Sequence, residues 1–105
     1  MSHPLLRSLA FDFSGAIRRR GEEYHRGGRV RLAEIDTGNP GRVLAFVQGA
    51  RRYTVEIGFE DLQAAYSCTC PYFFDRELPC KHIWAVLLKL EASGFFRRLD
   101  RKSVV

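Results

Sequence analysis

The strongest constraint on what this 105-residue chain can fold into is a set of three cysteines and one histidine. Cys68 and Cys70 form one close pair, Cys80 and His82 form a second, and nine residues separate the pairs. Two close pairs of soft ligands joined by a short loop supply the two opposite edges of a tetrahedral zinc site. The spacing therefore predicts that all four residues bind one structural Zn²⁺.

The same spacing constrains the backbone around each pair. Two sulfurs on one edge of a zinc tetrahedron lie about 3.8 Å apart, whereas alternate residues of a strand lie roughly 6.5 Å apart at Cα. The chain must therefore curl around the metal at Thr69. Residues two apart on a helix are rotated by about 200°, so Cys80 and His82 cannot both bind one metal from inside a helix. We expect Cys80 at or before a helix N-cap and His82 in the first turn.

Other uses of the cysteines stay open at this point. They include buried structural cysteines beside a chance histidine, a redox pair, and a Cys80–His82 nucleophile and base. The usual redox spacing, Cys-x-x-Cys, is absent, and nothing suggests an oxyanion site. A catalytic zinc is disfavoured because four protein ligands close the coordination shell. The chain also lacks a GxxxxGK[ST] motif, so we expect no ATPase within it, and we expect no other enzymatic activity.

Apolar periodicity and turn residues predict an α+β fold. Residues 1–28 are predicted to be an N-terminal helical segment with Ser14 as an N-cap and Gly27-Gly28 at its end. Short connections predict a three- to four-stranded antiparallel sheet, since they are too short for parallel crossovers. The predicted strands are residues 29–36, 42–48, 52–59 and, as a short fourth, 64–68. A phase slip is expected near residues 33–35 of the first strand.

The remaining segments complete the predicted organisation. Residues 71–79 are predicted to be a loop, with at least two of Tyr72, Phe73 and Phe74 packed beneath the zinc loop. An unpacked ring could instead stack on bases. Residues 81–93 are predicted to be a C-terminal helix that the zinc staples to the sheet. The sheet and finger thus span residues 29–94 (finger proper 52–90), and residues 95–105 are interpreted as a basic tail that links to a larger protein.

The residues that flank the four ligands resemble the SWIM zinc finger, whose signature is C-x-C, a variable loop and C-x-H. Residues 52–57 resemble the strand before its first cysteines, and residues 70–73 and 80–88 resemble its knuckle and helix. Residues 13–51 resemble, more loosely, the stretch before the finger in bacterial Swi/Snf-type helicases, through Arg20-Gly21, Tyr24, Gly28 and Val30.

This resemblance implies several expectations about function. The chain would be an accessory module of a larger ATPase or helicase, with the DNA-binding or protein-interaction role generally assigned to the family. It would work in the bacterial cytoplasm in association with the nucleoid. No run of 18 apolar residues and no signal peptide are visible, so we expect no membrane partner, and we expect no small-molecule substrate.

The positive charge lies outside the finger. The chain has a net charge of +5, residues 1–52 hold ten arginines against five acids, and residues 53–94 hold three basic against six acidic residues. The predicted finger helix is mostly apolar apart from Lys81 and Lys89, so it fits poorly in a DNA groove. Phosphate contacts are therefore assigned to eight arginines: Arg18, Arg19, Arg20, Arg29, Arg31, Arg42, Arg51 and Arg52.

Two interpretations of these arginines are in competition. Bound to phosphates, they would give weak to moderate, salt-dependent nucleic-acid binding, with Arg97 and Arg98 as further candidates. They could also form an ordinary solvated surface, because Glu22, Glu23, Glu34 and Asp36 lie among them. The alternative function is a protein-interaction module that docks on an ATPase core or another partner without DNA contact. Trp84, Phe95 and Phe96 would be its uncovered apolar groups.

Overall fold

The described part of the chain forms two N-terminal helices, a four-stranded antiparallel sheet and three further helices, in that order. The structure, a computed structural model, describes residues 3–38, 40–61 and 63–103. The helices are α1 (Pro4–Leu9), α2 (Gly15–Arg26), α3 (Pro71–Arg76), α4 (Lys81–Ser93) and α5 (Phe95–Ser103), with a 3₁₀ turn at Ala10–Asp12. The strands are β1 (Val30–Asp36), β2 (Gly41–Gln48), β3 (Arg52–Glu60) and β4 (Gln63–Cys68). The predicted α+β class is confirmed.

The N-terminal segment consists of two helices, and the chain changes direction between them at Phe13. Phe13 has extended backbone (φ −124, ψ 134) and is buried, with its ring 5.1 Å from that of Trp84. The ring of Phe13 thus lies in the core, between the two helices and α4. The predicted N-cap is confirmed, since the Ser14 hydroxyl accepts a hydrogen bond from the Ile17 N–H at 3.2 Å. The helix ends at Gly27, also as predicted.

The strands pair in the order β1-β2-β3-β4, and each neighbouring pair is antiparallel. Alternate side chains of β2 and β3 point into the core and are almost completely buried: Val43, Ala45, Val47, Val55, Ile57 and Phe59. We call this side of the sheet the inner face and the opposite side the outer face. The register between β1 and β2 shifts between Leu32 and Glu34, which confirms the phase slip predicted in the first strand.

Helix α4 covers the inner face of the sheet. The predicted C-terminal helix is confirmed, and four of its apolar side chains are fully buried: Ile83, Val86, Leu87 and Leu90. The helix ends at Gly94, whose φ of 81° is the left-handed conformation that glycine adopts at low cost. Helix α2 packs against α4 at Gly21, where an added Cβ would lie 2.7 Å from Trp84 Cδ1. A glycine at that position is what lets the two helices approach so closely.

Two segments that the sequence did not identify as helical form α3 and α5. Residues 71–76 are helical rather than a loop, and Pro71 stands at the first helical position, where its missing N–H costs nothing. In α5, Phe95 and Phe96 are buried, with their ring centroids 5.2 and 6.0 Å from that of Phe59. The expectation that these two rings and Trp84 are left uncovered is therefore wrong.

Candidate metal centre

Three elements of the chain meet at the four predicted ligands. Strand β4 ends at Cys68, Cys70 is the N-cap of α3, and Cys80 is the N-cap of α4. His82 lies in the first turn of α4, so the arrangement predicted for the second pair is confirmed. All four side chains are buried, and their ligand atoms lie within 4.8 Å of one another. The curl at Thr69 and the two helix starts thus form one cluster.

The distances within the cluster fit a tetrahedral metal. Nδ1 of His82 lies 3.8 Å from the sulfur of Cys68 and 3.8 Å from the sulfur of Cys80. With Zn–S near 2.3 Å and Zn–N near 2.1 Å, a tetrahedral edge between sulfur and nitrogen is roughly 3.6 Å long. Three sulfurs and one imidazole nitrogen form a donor set typical of structural zinc. The residues therefore fit one structural zinc ion and leave no ligand position open to a substrate.

The thiols of the cluster differ in acidity. The pKa of Cys80 is lowered to about 4 by the thiol of Cys68, the imidazole of His82 and the backbone amide of Ile83, against the effect of burial. The pKa of Cys68 is raised because its thiol hydrogen-bonds to Cys80 and is buried. Burial is also the main cause that raises the pKa of Cys70. Negative charge is therefore favoured first at the start of α4, and metal binding displaces protons from the remaining thiols.

Two tyrosines hold the imidazole of His82. Its ring lies 4.6 Å from the ring of Tyr53 and 5.2 Å from that of Tyr24, which approaches edge-on. The outer nitrogen, Nε2, is buried and has no hydrogen-bond partner among the described residues. Aromatic contacts rather than a second hydrogen bond thus orient the ring. Tyr24 on α2 and Tyr53 on β3 converge on this ligand, and no local pattern of the sequence indicates that they do.

The finger helix faces the interior. Residues 82–87 of α4 are all buried, so this helix cannot enter a DNA groove and instead seals the core against the sheet, as predicted. The prediction for the aromatic residues of α3 is wrong, because Tyr72 is 36% and Phe74 is 79% exposed. Only Phe73 packs against the core, since successive residues on a helix point in different directions.

All eight arginines assigned to phosphate contacts are exposed, but the structure gathers only three of them. Arg29, Arg31 and Arg52 line a groove of about 320 Å³ together with Phe46 and Gln48. The guanidinium of Arg52 lies over the ring of Phe46, 4.6 Å from its centroid. We call these four residues, Arg29, Arg31, Phe46 and Arg52, the arginine–phenylalanine patch. It lies where β1 begins, at one end of the outer face of the sheet.

The other five arginines lie elsewhere on the surface. Arg18, Arg19 and Arg20 are on α2, and Arg51 is in the turn between β2 and β3. Arg42 lies toward the other end of the outer face, where it pairs in register with the acidic residue Asp36. Arg97 and Arg98 are exposed on α5.

Comparison with protein families identifies the finger. Residues 53–91 match the family model of the SWIM zinc finger, and the match contains all four ligands. Neither the curated proteins nor the solved structures gave a match to the chain, so the helicase resemblance of residues 13–51 gains no support from them. Among the described residues, no helix combines the length and the apolar character that a membrane span requires.

Proposed function

We propose that this chain is a zinc-binding accessory module of a Swi/Snf-type ATPase or helicase, and that it binds nucleic acid through phosphate contacts. One observation carries the nucleic-acid part: Arg29, Arg31 and Arg52 converge in one groove that no acidic side chain lines. Guanidinium groups bind phosphate oxygens through paired hydrogen bonds. The context of a larger ATPase rests on the resemblance of the sequence alone, and with it a nucleoid-associated place in the cytoplasm.

In this proposal the zinc has a structural role and no catalytic one. The metal cluster is buried on the inner side of the sheet, and the phosphate contacts lie on its outer face. The metal therefore fixes the positions of β4 and α4, and through them the sheet that carries the arginines. Contacts with phosphates carry no base information, so the binding should tolerate sequence changes and should weaken with salt.

Fluorescence anisotropy with labelled DNA tests the proposal. Affinity should fall between about 50 and about 200 mM salt, with a log–log slope of about −2 to −3 for three phosphate contacts. The triple variant Arg29→Gln/Arg31→Gln/Arg52→Gln should lose most of the affinity. The control Arg7→Gln removes an exposed arginine of α1 and should change little. No binding at low salt, or an affinity that salt does not change, would contradict the proposal.

A protein-interaction role remains the second candidate, on different residues from those expected. The ring of Phe11, on the 3₁₀ turn, is 93% exposed and makes this turn the apolar point of the N-terminal surface. Such a ring suits contact with an ATPase core or another protein partner. A pull-down with the remainder of the parent chain tests this, and Phe11→Ala should abolish capture. Capture that Phe11→Ala leaves unchanged would count against this surface.

A further inference from the structure

Strand register and a pair of hydrogen bonds place four exposed or half-buried residues in one row across the outer face. Arg31 on β1 lies opposite Phe46 on β2, and Phe46 lies opposite Thr54 on β3. Thr54 is joined to Thr69, since the Thr54 N–H donates to the Thr69 hydroxyl at 2.9 Å and the Thr69 N–H donates to the Thr54 carbonyl at 3.1 Å. The row therefore runs from the arginine–phenylalanine patch to the curl between the first two zinc ligands.

A second groove adjoins the far end of this row. It has a volume of about 530 Å³ and is lined by Thr69, Phe73, Phe74 and Glu77, among others. Phe74 is 79% exposed, so its ring is free to stack. Because neighbouring strands are about 4.8 Å apart, Phe46 on β2 and Thr69 beside β3 are separated by two spacings, or roughly 10 Å. The rings of Phe46 and Phe74 thus lie on either side of the two threonines of the row, Thr54 and Thr69.

Negative charge on the neighbouring row disfavours a polyanion there and so favours binding along the row described above. The next row along the strands places Glu34 opposite Leu44 and Leu44 opposite Glu56. It lies about 7 Å away, the length of two strand residues. A duplex, which presents two phosphate backbones to a flat surface, would bring phosphates close to these carboxylates. A single strand can follow the row and leave the acidic row uncovered.

We propose that the outer face binds single-stranded nucleic acid along this row. One base stacks on the Arg52–Phe46 pair and a second stacks on Phe74. Arg29 and Arg31, with the edge of the Arg52 guanidinium, hold the phosphates that flank the first base. The carboxylate of Glu77 in the second groove disfavours a phosphate there, which suits that groove to a base. Aromatic rings and guanidinium planes are the surfaces on which unpaired bases stack. This inference rests on the proposed nucleic-acid binding and adds its substrate class and its path.

The test compares the affinities of the full chain for labelled oligo-dT, oligo-rU and a mixed-sequence duplex of equal length at about 50 mM salt. The single strands should bind at least about 5-fold more tightly than the duplex. Phe46→Leu and Phe74→Ala should each weaken single-strand binding by about 5- to 100-fold, since stacking contributes strongly per base. Phe46→Tyr and Phe74→Tyr keep an aromatic ring and should therefore bind single strands with an affinity close to that of the wild type. The dT and rU arms show whether the sugar matters.

Two different failures can be told apart. If the duplex binds as tightly as the single strands, and Phe46→Leu and Phe74→Ala change nothing while the triple arginine variant loses binding, the stacking row is wrong and the proposed phosphate contacts stand. If no nucleic acid binds at low salt, the proposed function fails and this inference fails with it. Circular dichroism of each variant establishes that it is folded, and the exposed position of Phe74 makes Phe74→Ala the safer of the two truncations.

Discussion

The two faces of the central sheet differ in what their residues do, although the same strands supply both. On the inner face, Ala45, Val47 and Val55 are completely buried, and Val55 pairs in register with the ligand Cys68. On the outer face, the neighbouring positions Phe46 and Thr54 are half-buried and border exposed arginines. The metal-binding motif, which has the strongest sequence signal, thus lies on the inner side together with the buried residues that stabilise the fold. Along β2 and β3, those buried residues alternate with the residues of the outer face that we assign to binding.

The largest expected effect is on the inner side, from removal of zinc. Structural zinc contributes about 10–16 kcal/mol in zinc-finger peptides, which is comparable to or larger than the whole stability of a small domain, about 5–15 kcal/mol. A chelator strong enough to strip the metal, or Cys80→Ser, should therefore unfold residues 64–93 first. Hydrogen exchange, melting by circular dichroism and metal analysis check this, with about one zinc per chain expected.

The matched control for this experiment is Ser67→Ala, an exposed neighbour of the first ligand that belongs to the outer side. It should leave the melting temperature and metal content close to those of the wild type. A spectrum and melting temperature that stay the same after complete removal of zinc would show that the metal is not what holds the inner side together.

The next effect is at the contact between α2 and α4. In Gly21→Ala the added Cβ would lie 2.7 Å from Trp84 Cδ1 and 2.9 Å from the Lys81 carbonyl oxygen, so the helices must separate. We expect a loss of about 1–3 kcal/mol of unfolding free energy, despite the better helix propensity of alanine. Gly15→Ala in the same helix has only the Arg19 guanidinium at 3.6 Å and should be neutral or stabilising. Equal urea midpoints for the two variants would refute the packing argument.

A smaller effect comes from the hydrogen bond that ties the 3₁₀ turn to β4. The Tyr66 hydroxyl donates to the Asp12 carboxylate at 2.8 Å, and Tyr66→Phe should cost about 1 kcal/mol near neutral pH. Burial and this hydrogen bond raise the pKa of Tyr66 above its ordinary value. The folded state therefore keeps a proton that the unfolded chain loses above about pH 10, so stability falls as pH rises beyond that value.

The Tyr66→Phe variant has no hydroxyl proton to titrate, so the pH dependence of stability provides a second measurement for this prediction. The difference in unfolding free energy between the wild type and the variant should narrow between about pH 7 and about pH 11. Urea unfolding at both pH values measures it. A difference that stays constant would mean that the tyrosine hydroxyl titrates normally in the folded protein.

The smallest effect on stability is expected on the outer face. Arg31→Gln and Arg52→Gln change exposed side chains and should leave the unfolding free energy within about 0.5 kcal/mol of the wild type. The same variants should weaken binding to nucleic acid. If Arg31→Gln or Arg52→Gln lowered the unfolding free energy by more than this and left the affinity for nucleic acid unchanged, the assignment of binding to the outer face would be wrong.

The sequence was most informative where one local rule decides the outcome. The four zinc ligands follow from spacing and ligand chemistry, and the N-cap position of Cys80 follows from helix geometry. The strands and their bulge follow from alternation and from its slip near Ala33. These features need no knowledge of distant parts of the chain.

The features that the sequence missed depend on tertiary contacts. The N-cap at Ser14 marks where α2 begins, but the packing of the Phe13 ring against Trp84, 71 positions along the chain, has no local signal. Phe95 is buried because α5 packs beside Phe59, so a basic amphipathic segment looks like a tail until its partner is known. Strand register determines which three of the eight arginines meet, and register depends on pairing between residues that are far apart in the chain.

The hydrogen bonds between Thr54 and Thr69 have a consequence of their own. Thr69 lies between two zinc ligands in the chain, yet it also completes the row across the outer face. Any molecule that binds this row in its ordered form must favour the metal-loaded state, and by thermodynamic linkage the metal must favour the bound state to the same degree. Zinc affinity measured with and without oligonucleotide would then report on the binding surface, although the ion is buried on the other side of the sheet.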